Sequence, residues 1–375
     1  MTNPIDAVLF ASFGGPEKQE DVMPFLRNVT RGRGIPDERL EEVSHHYRKL
    51  GGRSPINEQN RDLIARLEVE LEKRNLDIPV YWGNRNWEPY IDDALQQMVA
   101  DGRRNVVAIS TSAFSSYSSC RQYREDYARA LSEANLEGKL HLQKTRGYFN
   151  HPGFLEPLVD GIANAAASLR EEGLSLADVE LMFSTHSIPL SMASASGPAA
   201  QTDEVGWYVR QHEAACDWVV EKLAERGIEM PWQMVYQSRS GAPHIPWLEP
   251  DINDVIEELE DRRGIIVVPI GFVTDHIEVI WDLDNEAQET AEEKGLAFRR
   301  VATSGHDPRF IAALADLVEE AIDPLRKRVT VTDFPALPEV CNTACCVNKR
   351  MIRPTVCGED SAADRLAAAS AVAGR

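Results

Sequence analysis

The sequence predicts an α/β protein of two doubly wound halves, each with a parallel sheet, set around a central cleft. Three observations carry that prediction. Short apolar runs bounded by turn residues alternate with longer stretches of helical period, the pattern of a parallel sheet covered by helices. Those runs come in two sets of three, and corresponding members lie a domain-sized distance apart in the chain. Each run also ends in a polar or glycine-bearing signature, and in open α/β sheets ligands bind beyond the carboxyl ends of the strands.

Taken in order, the first set of strands is expected at 7–10 (LFASFGGP), 80–82 (PVYWGNRNW) and 106–110 (VVAISTSAF). The second is expected at 179–183 (LMFSTHSIP), 233–236 (QMVYQSRSG) and 265–270 (IIVVPIGFV). Between strands, Leu63, Leu67 and Leu71 recur at a regular helical interval among Arg, Glu and Lys, which predicts an amphipathic helix. Residues 92–100 repeat the pattern, and Gly102 supplies a stop. The junction falls at 148–154, giving a first half over 1–150 and a second over 151–337. Past Pro338 the pattern stops. A cysteine-rich extension follows over 338–358, then an alanine-rich tail over 359–375 that has no core stripe and is expected to be mobile.

Composition removes whole classes of function. The chain has 375 residues, 60 Asp+Glu against 40 Lys+Arg, a net charge of −20 and 43% hydrophobic residues, as a soluble globular protein does. So acidic a balance excludes an extended phosphate-tracking surface, and with it nucleic acid as a partner. No stretch approaches the roughly 18 apolar residues of a membrane span, and the N-terminus has no basic leader, so a cytoplasmic protein without a transmembrane segment is expected. Six cysteines are too few for a disulfide-built scaffold of this length, yet Cys341, Cys345, Cys346 and Cys357 crowd towards the C-terminal end.

Three groups of residues could carry chemistry. Glu278, Asp282 and Glu286 follow the strand at 265–270 at four-residue intervals, which places them on one face of a helix. Like charges at that spacing need a cation nearby, so the row suits a metal ion or a proton relay; a solvated acidic face is the plainer reading. His186 ends another predicted strand in STHSIP, where a neutral imidazole can accept a proton or bind a divalent metal, although a lone His is more often structural. Arg27, Arg31, Arg33, His46, Tyr47, Arg48, Arg53 and Ser54 form a basic, hydroxyl-bearing patch suited to a small polycarboxylate, unless salt bridges to the surplus acids absorb it. Neither Gly-x-Ser-x-Gly nor His-Glu-x-x-His occurs, and no Gly-x-Gly-x-x-Gly follows the first strand, which argues against common hydrolase and dinucleotide-binding readings.

The segments SFGGP, GGRSPIN, SSYSSCRQY, STHSIP, QSRSG with WLEP, and GFVTDHIEVIWDLD, in this order and spacing, resemble the ferrochelatase family over residues 6–325, and in detail its actinobacterial branch. The resemblance implies two Rossmann-like, chelatase-type halves and an enzyme, a lyase, that inserts Fe(II) into coproporphyrin III during haem synthesis. Protoporphyrin IX as the substrate, or a non-catalytic tetrapyrrole carrier that senses iron or redox state, are the alternatives. By the same resemblance His186 binds the metal and accepts protons, Glu278 is its partner, and Asp282 and Glu286 form a relay. Ser54, Tyr123, Arg31, Arg33, His46 and Tyr47 become porphyrin contacts. Phe13 stands where some relatives carry a metal-binding Tyr, and a phenyl ring cannot ligate. The resemblance further implies a [2Fe–2S] cluster on Cys120, Cys341, Cys346 and Cys357, with Cys345 as the substitute for Cys346; a structural zinc would use the same four-thiol set. Cys216 is expected in the core. A monomer whose substrates are Fe2+ and coproporphyrin III, in transient contact with neighbouring haem-pathway enzymes, completes the expectation.

Overall fold

The computed structural model describes residues 4–32, 34–199, 204–241, 244–348 and 351–359. Two parallel four-stranded sheets organise it. In the first, β1 (Ala7–Ser12), β2 (Val80–Asn84), β3 (Asn105–Ser110) and β4 (His141–Lys144) stand in the order β2-β1-β3-β4. In the second, β5 (Val179–His186), β6 (Trp232–Gln237), β7 (Gly264–Val268) and β8 (Ala297–Arg300) stand in the order β6-β5-β7-β8. One order used twice is the internal repeat expected from the paired signatures. The edge strands β4 and β8 escape the sequence pattern because each is short, polar and incompletely covered: HLQK and AFRR have no apolar run to display.

The helices of the first half are α1 (Val22–Val29), α2 (Asp37–Lys49), α3 (Ile56–Lys73), α4 (Ile91–Ala100) and α5 (Gln122–Glu133). Those that follow are α6 (Pro152–Glu171), α7 (Leu190–Ala193), α8 (Gly206–Ala224), α9 (Ile252–Glu258), α10 (Ile277–Val279), α11 (Gln288–Glu293) and α12 (Pro308–Ile322). Both faces of each sheet are covered, so alternate strand residues enter different cores. Ala7, Leu9 and Ala11 of β1 pack with Leu95 and Met98 of α4 and with Tyr127 and Leu131 of α5. Val8 and Phe10 point the other way and join Leu63, Leu67 and Leu71, the stripe expected of α3. That second core runs on through Leu181 and Phe183 of β5 and through Ile162, Leu314 and Val318, so the two halves share one apolar interior. Cys216 lies inside it, as expected.

α12 packs on both α3 and α6 and so ties the halves together. Arg74, at the end of α3, pairs with Asp316 at 2.7 Å and Glu319 at 2.6 Å on α12. Deeper, Arg146 and Glu320 are both buried and meet at 2.6 Å. A buried charge is tolerable only while it is paired.

Two departures from regular helix bear on the site. Residues 117–121, with Cys120, and Ile280–Ala287, with Asp282 and Glu286, are π-helical. The ordinary helix expected over the acid row is therefore corrected: α geometry ends at Val279, and the wider turn common at functional sites takes over. The turn before α10 also rides hard on β5. A Cβ at Gly271 would meet Thr185 Oγ1 at 2.1 Å, so glycine is what lets this segment approach the end of β5.

Removing Glu320 leaves the Arg146 guanidinium buried and unpaired. Glu320→Ala is expected to cost about 3–5 kcal/mol in denaturant unfolding; a loss below about 1 kcal/mol would show that water reaches Arg146 freely.

Candidate active site

His186 is the last residue of the central strand β5, where pairing with β6 sets His186 beside Gln237. Its Nδ1 lies against the Ser187 carbonyl, which can only accept, so in the neutral ring Nδ1 carries the hydrogen and Nε2 the lone pair. That nitrogen stands 3.8 Å from Glu278 Oε2. The backbone beneath is fixed: the Tyr208 hydroxyl donates to the His186 carbonyl at 2.8 Å, and the Ser187 N–H donates to the Gln237 carbonyl at 2.8 Å. Behind it, His212 donates from Nδ1 to the Tyr208 carbonyl at 2.7 Å and receives the Thr185 hydroxyl at 2.9 Å. Burial holds the His212 pKa down to about 3, so that ring stays neutral and serves as structure.

The acid row begins at Glu278 on α10 and continues along the π-helix. Asp282 Oδ2 accepts from the Ser238 hydroxyl and from Gln237 Nε2 at 3.3 Å. Burial, reinforced by the charges of Glu278 and Glu286, raises the Asp282 pKa to about 7. Glu286 accepts the indole N–H of Trp281 at 2.8 Å. Two other acids of the same segment have a different fate, since Asp275 and Asp284 both pair with Arg300. Among the described residues no Lys or Arg lies within ion-pair distance of Glu278, Asp282 or Glu286. The row thus differs from Asp275 and Asp284 of the same segment, which Arg300 neutralises.

The first half supplies the facing wall. Ile277 packs with Phe25, Leu40 and Tyr47, and Gln59 accepts the Asp275 N–H at 2.8 Å, so the acid-bearing segment is seated on α1, α2 and α3. His46 stacks on Trp281 at 4.2 Å, and burial lowers its pKa. Tyr47 is buried against Phe25, with its pKa raised by burial and by the negative charge of Glu278. Phe13 stands 40% exposed, edge-on to Phe25. Much of the basic patch is salt-bridged: Arg27 to Asp37, Arg48 to Glu41 and Arg53 to Glu58. Arg31 differs, for it is exposed and, among the described residues, its side chain bonds only to the Asn28 amide oxygen at 2.7 Å and to no carboxylate. Arg33 lies outside the described residues.

Not every expected residue reaches this cleft. Ser54 is buried against Gly15, its N–H donating to the Pro16 carbonyl. Tyr123 is buried beneath the Arg85 guanidinium and borders a cavity that Cys120, Cys341 and Cys345 also line. Sequence reasoning named no role for Gln237, Ser238, Tyr208 or Trp281. QSRSG and the Trp inside the acid row were the available signals.

The cysteines gather at the carboxyl ends of β3 and β4. Cys120, Cys341, Cys345 and Cys346 form one cluster, with the Cys345 and Cys346 sulfurs 3.7 Å apart. The Gly197 N–H donates to Cys346 Sγ at 3.2 Å. Cys357 is placed differently from expectation. Its backbone carbonyl accepts the Cys341 N–H, but its thiol faces the Leu142 carbonyl at 3.3 Å, held there by a left-handed backbone at φ 61°. Cys345 and Cys346 are thus both in the cluster, and Cys357 stands beside it. Among the described residues no three His, Cys, Asp or Glu donors converge to hold a single metal ion.

The sequence model of ferrochelatases matches residues 5–322, which takes in both sheets, His186 and the whole acid row. The chain belongs to the ferrochelatase family. A relative from Leifsonia xyli named coproporphyrin III ferrochelatase is 51% identical over 374 residues, covering 96% of each chain. Another of that name, from Streptomyces coelicolor, is 52% identical over 368 residues, covering 96% of this chain and 97% of its own. A ferrochelatase from Rhodopirellula baltica is 42% identical over 358 residues, covering 95% and 97%. The family match ends at the close of α12, so in this ferrochelatase the cysteine segment lies beyond the common family region.

Asp282 gives the site a pH signature. The fold keeps its proton up to about pH 7, whereas an unfolded chain releases it near 3.8, so its contribution to stability falls as pH rises through that window. The loss is at most about 4 kcal/mol. Asp282→Asn is expected to gain stability relative to the parent between pH 4 and 8 in thermal unfolding; a difference independent of pH would contradict the assignment.

Proposed function

We propose that this chain is a coproporphyrin III ferrochelatase that inserts Fe(II) into coproporphyrin III in haem synthesis. The observation that carries the proposal is the un-neutralised acid row ending at a histidine whose Nε2 lone pair faces Glu278. Insertion requires the porphyrin to lose two pyrrole N–H protons while the incoming ion sheds water. His186 is the proton acceptor and last protein ligand, and Glu278 receives or relays the proton. Asp282 and Glu286 lead to them from the outer end of the row. The substrate ion must be passed on and so cannot be caged, which fits the half-buried His186 and the exposed Glu278 better than a closed four-ligand set. Tyr47, His46 and Phe13 line the facing wall, while Arg31 and Arg33 take propionates, for which a guanidinium is the natural partner. Ser54 and Tyr123 support the porphyrin side from within the fold. Coproporphyrin III over protoporphyrin IX is favoured by the names of the relatives and by a lip that carries a free arginine in place of a long apolar segment.

The cysteine extension is read as a [2Fe–2S] site. Four thiols in one cluster fit the donor set of such a centre, which takes two ligands on each iron. Cys120, Cys341, Cys345 and Cys346 would hold it, and when bound it would supply one-electron chemistry at the end of the first sheet. Cys357, the remaining member of the expected set, supports Cys341 through its backbone. Visible absorption with iron and zinc analysis of the purified protein separates this reading from a structural zinc. A monomer acting in the cytoplasm, with transient access to neighbouring haem-pathway enzymes, completes the proposal, as do functional halves over 1–150 and 151–337. No described helix is long and apolar enough to cross a membrane.

Anaerobic assay with both porphyrins is the direct test. Turnover with coproporphyrin III should exceed that with protoporphyrin IX, and His186→Ala should lower kcat by about 10²–10⁴-fold. A reversed preference would overturn the substrate, and unimpaired turnover in the variant would overturn the mechanism.

A further inference from the structure

The cavity at the carboxyl ends of β3 and β4 has a charge pattern opposite to that of the chain. Its walls include Arg124, Lys144 and Arg146 together with Cys120, Cys341 and Cys345, and no Asp or Glu among the described residues, in a protein of net charge −20. Arg146 is answered by Glu320. Arg124 reaches into the cysteine segment, donating to the Val356 carbonyl at 2.8 Å and to Thr355 Oγ1 at 3.1 Å. Lys144, the last residue of β4, binds only the Thr145 and Pro338 carbonyls, at 3.3 and 3.2 Å, with no carboxylate in ion-pair distance among the described residues. Lys144 is half-buried, and carbonyl dipoles alone hold a partly desolvated ammonium poorly. Burial raises the pKa of the phenols on this wall, Tyr123, Tyr127 and Tyr148, so the thiols are the groups there that metal binding can render anionic.

We propose that Lys144 is the counter-charge of the sulfur ligands, placed to stabilise the negative charge of a cluster held by them. The inference rests on the [2Fe–2S] reading above. Four thiolates give such a centre a net negative charge, and reduction adds one more, so a nearby fixed cation favours the reduced form and raises the midpoint potential. Arg124 contributes in the same sense while anchoring the extension. Lys144 makes no hydrogen bond to the acid row or to His46, Tyr47 or Phe13 among the described residues.

The test uses the full chain purified anaerobically, with iron and sulfide analysis and a reductive titration followed by visible absorption. Lys144→Met and Lys144→Gln remove the charge, and Lys144→Arg keeps it. The neutral variants are expected to titrate at a more negative midpoint, or to lose cluster while remaining folded by circular dichroism; the arginine variant should stay near the parent in both. Failure of both neutral variants to fold beside a folded arginine variant would also place the requirement in the charge. An unchanged potential in Lys144→Met, or equal cluster loss in all three variants, would overturn the inference while leaving the cluster in place. A parent protein with no iron–sulfur absorption would overturn the cluster reading itself, and this inference with it.

Discussion

Three carboxylates in a row, with no Lys or Arg among the described residues in ion-pair distance, are the constraint around which the rest of this molecule is arranged. Like charges on one helical face repel, and burial makes the middle one costlier still. The fold answers in three ways. Asp282 is held by Ser238 and Gln237 and keeps its proton near neutrality. Arg300 takes Asp275 and Asp284, so that the repulsion stops at the edge of the row. The indole of Trp281 ties Glu286 to the helix while stacking on His46 from the opposite half. What remains is a line of acids that a divalent ion would stabilise, ending at the lone pair of His186.

The parallel sheet explains why these groups meet. His186 and Gln237 close adjacent strands, and the turn after β7 returns over β5 only because Gly271 has no side chain. The same geometry operates in the first half with opposite charge: the ends of β3 and β4 present Lys144, Arg146 and the thiols. One architecture, used twice, thus places acids at one set of strand ends and basic groups with thiols at the other. The shared core and α12 keep them at a fixed separation.

Much of this was legible in the sequence, and the failures have physical causes. Apolar runs located the four inner strands and the apolar edge strands β2 and β6, whereas the polar edge strands HLQK and AFRR show no such run. The spacing of Glu278, Asp282 and Glu286 announced a shared face, but not that π-helical turns would form it, since that depends on packing against α2 and β6. Arg31 and Arg27 look alike in sequence; only the fold brings Asp37 to one and leaves the other free. Counting cysteines grouped the thiols but could not say where each would point: Cys346 packs with Cys120, Cys341 and Cys345, whereas the Cys357 thiol faces the Leu142 carbonyl.

The central claim is that the un-neutralised row and His186 form the path of the ferrous ion. Anomalous diffraction at the iron edge, from crystals of the full chain exposed anaerobically to Fe(II), tests it most directly. The account predicts a peak between His186 Nε2 and the Glu278 carboxylate, with weaker density towards Asp282 or Glu286. An ion bound elsewhere in the cleft, with His186 and Glu278 left bare, would contradict it.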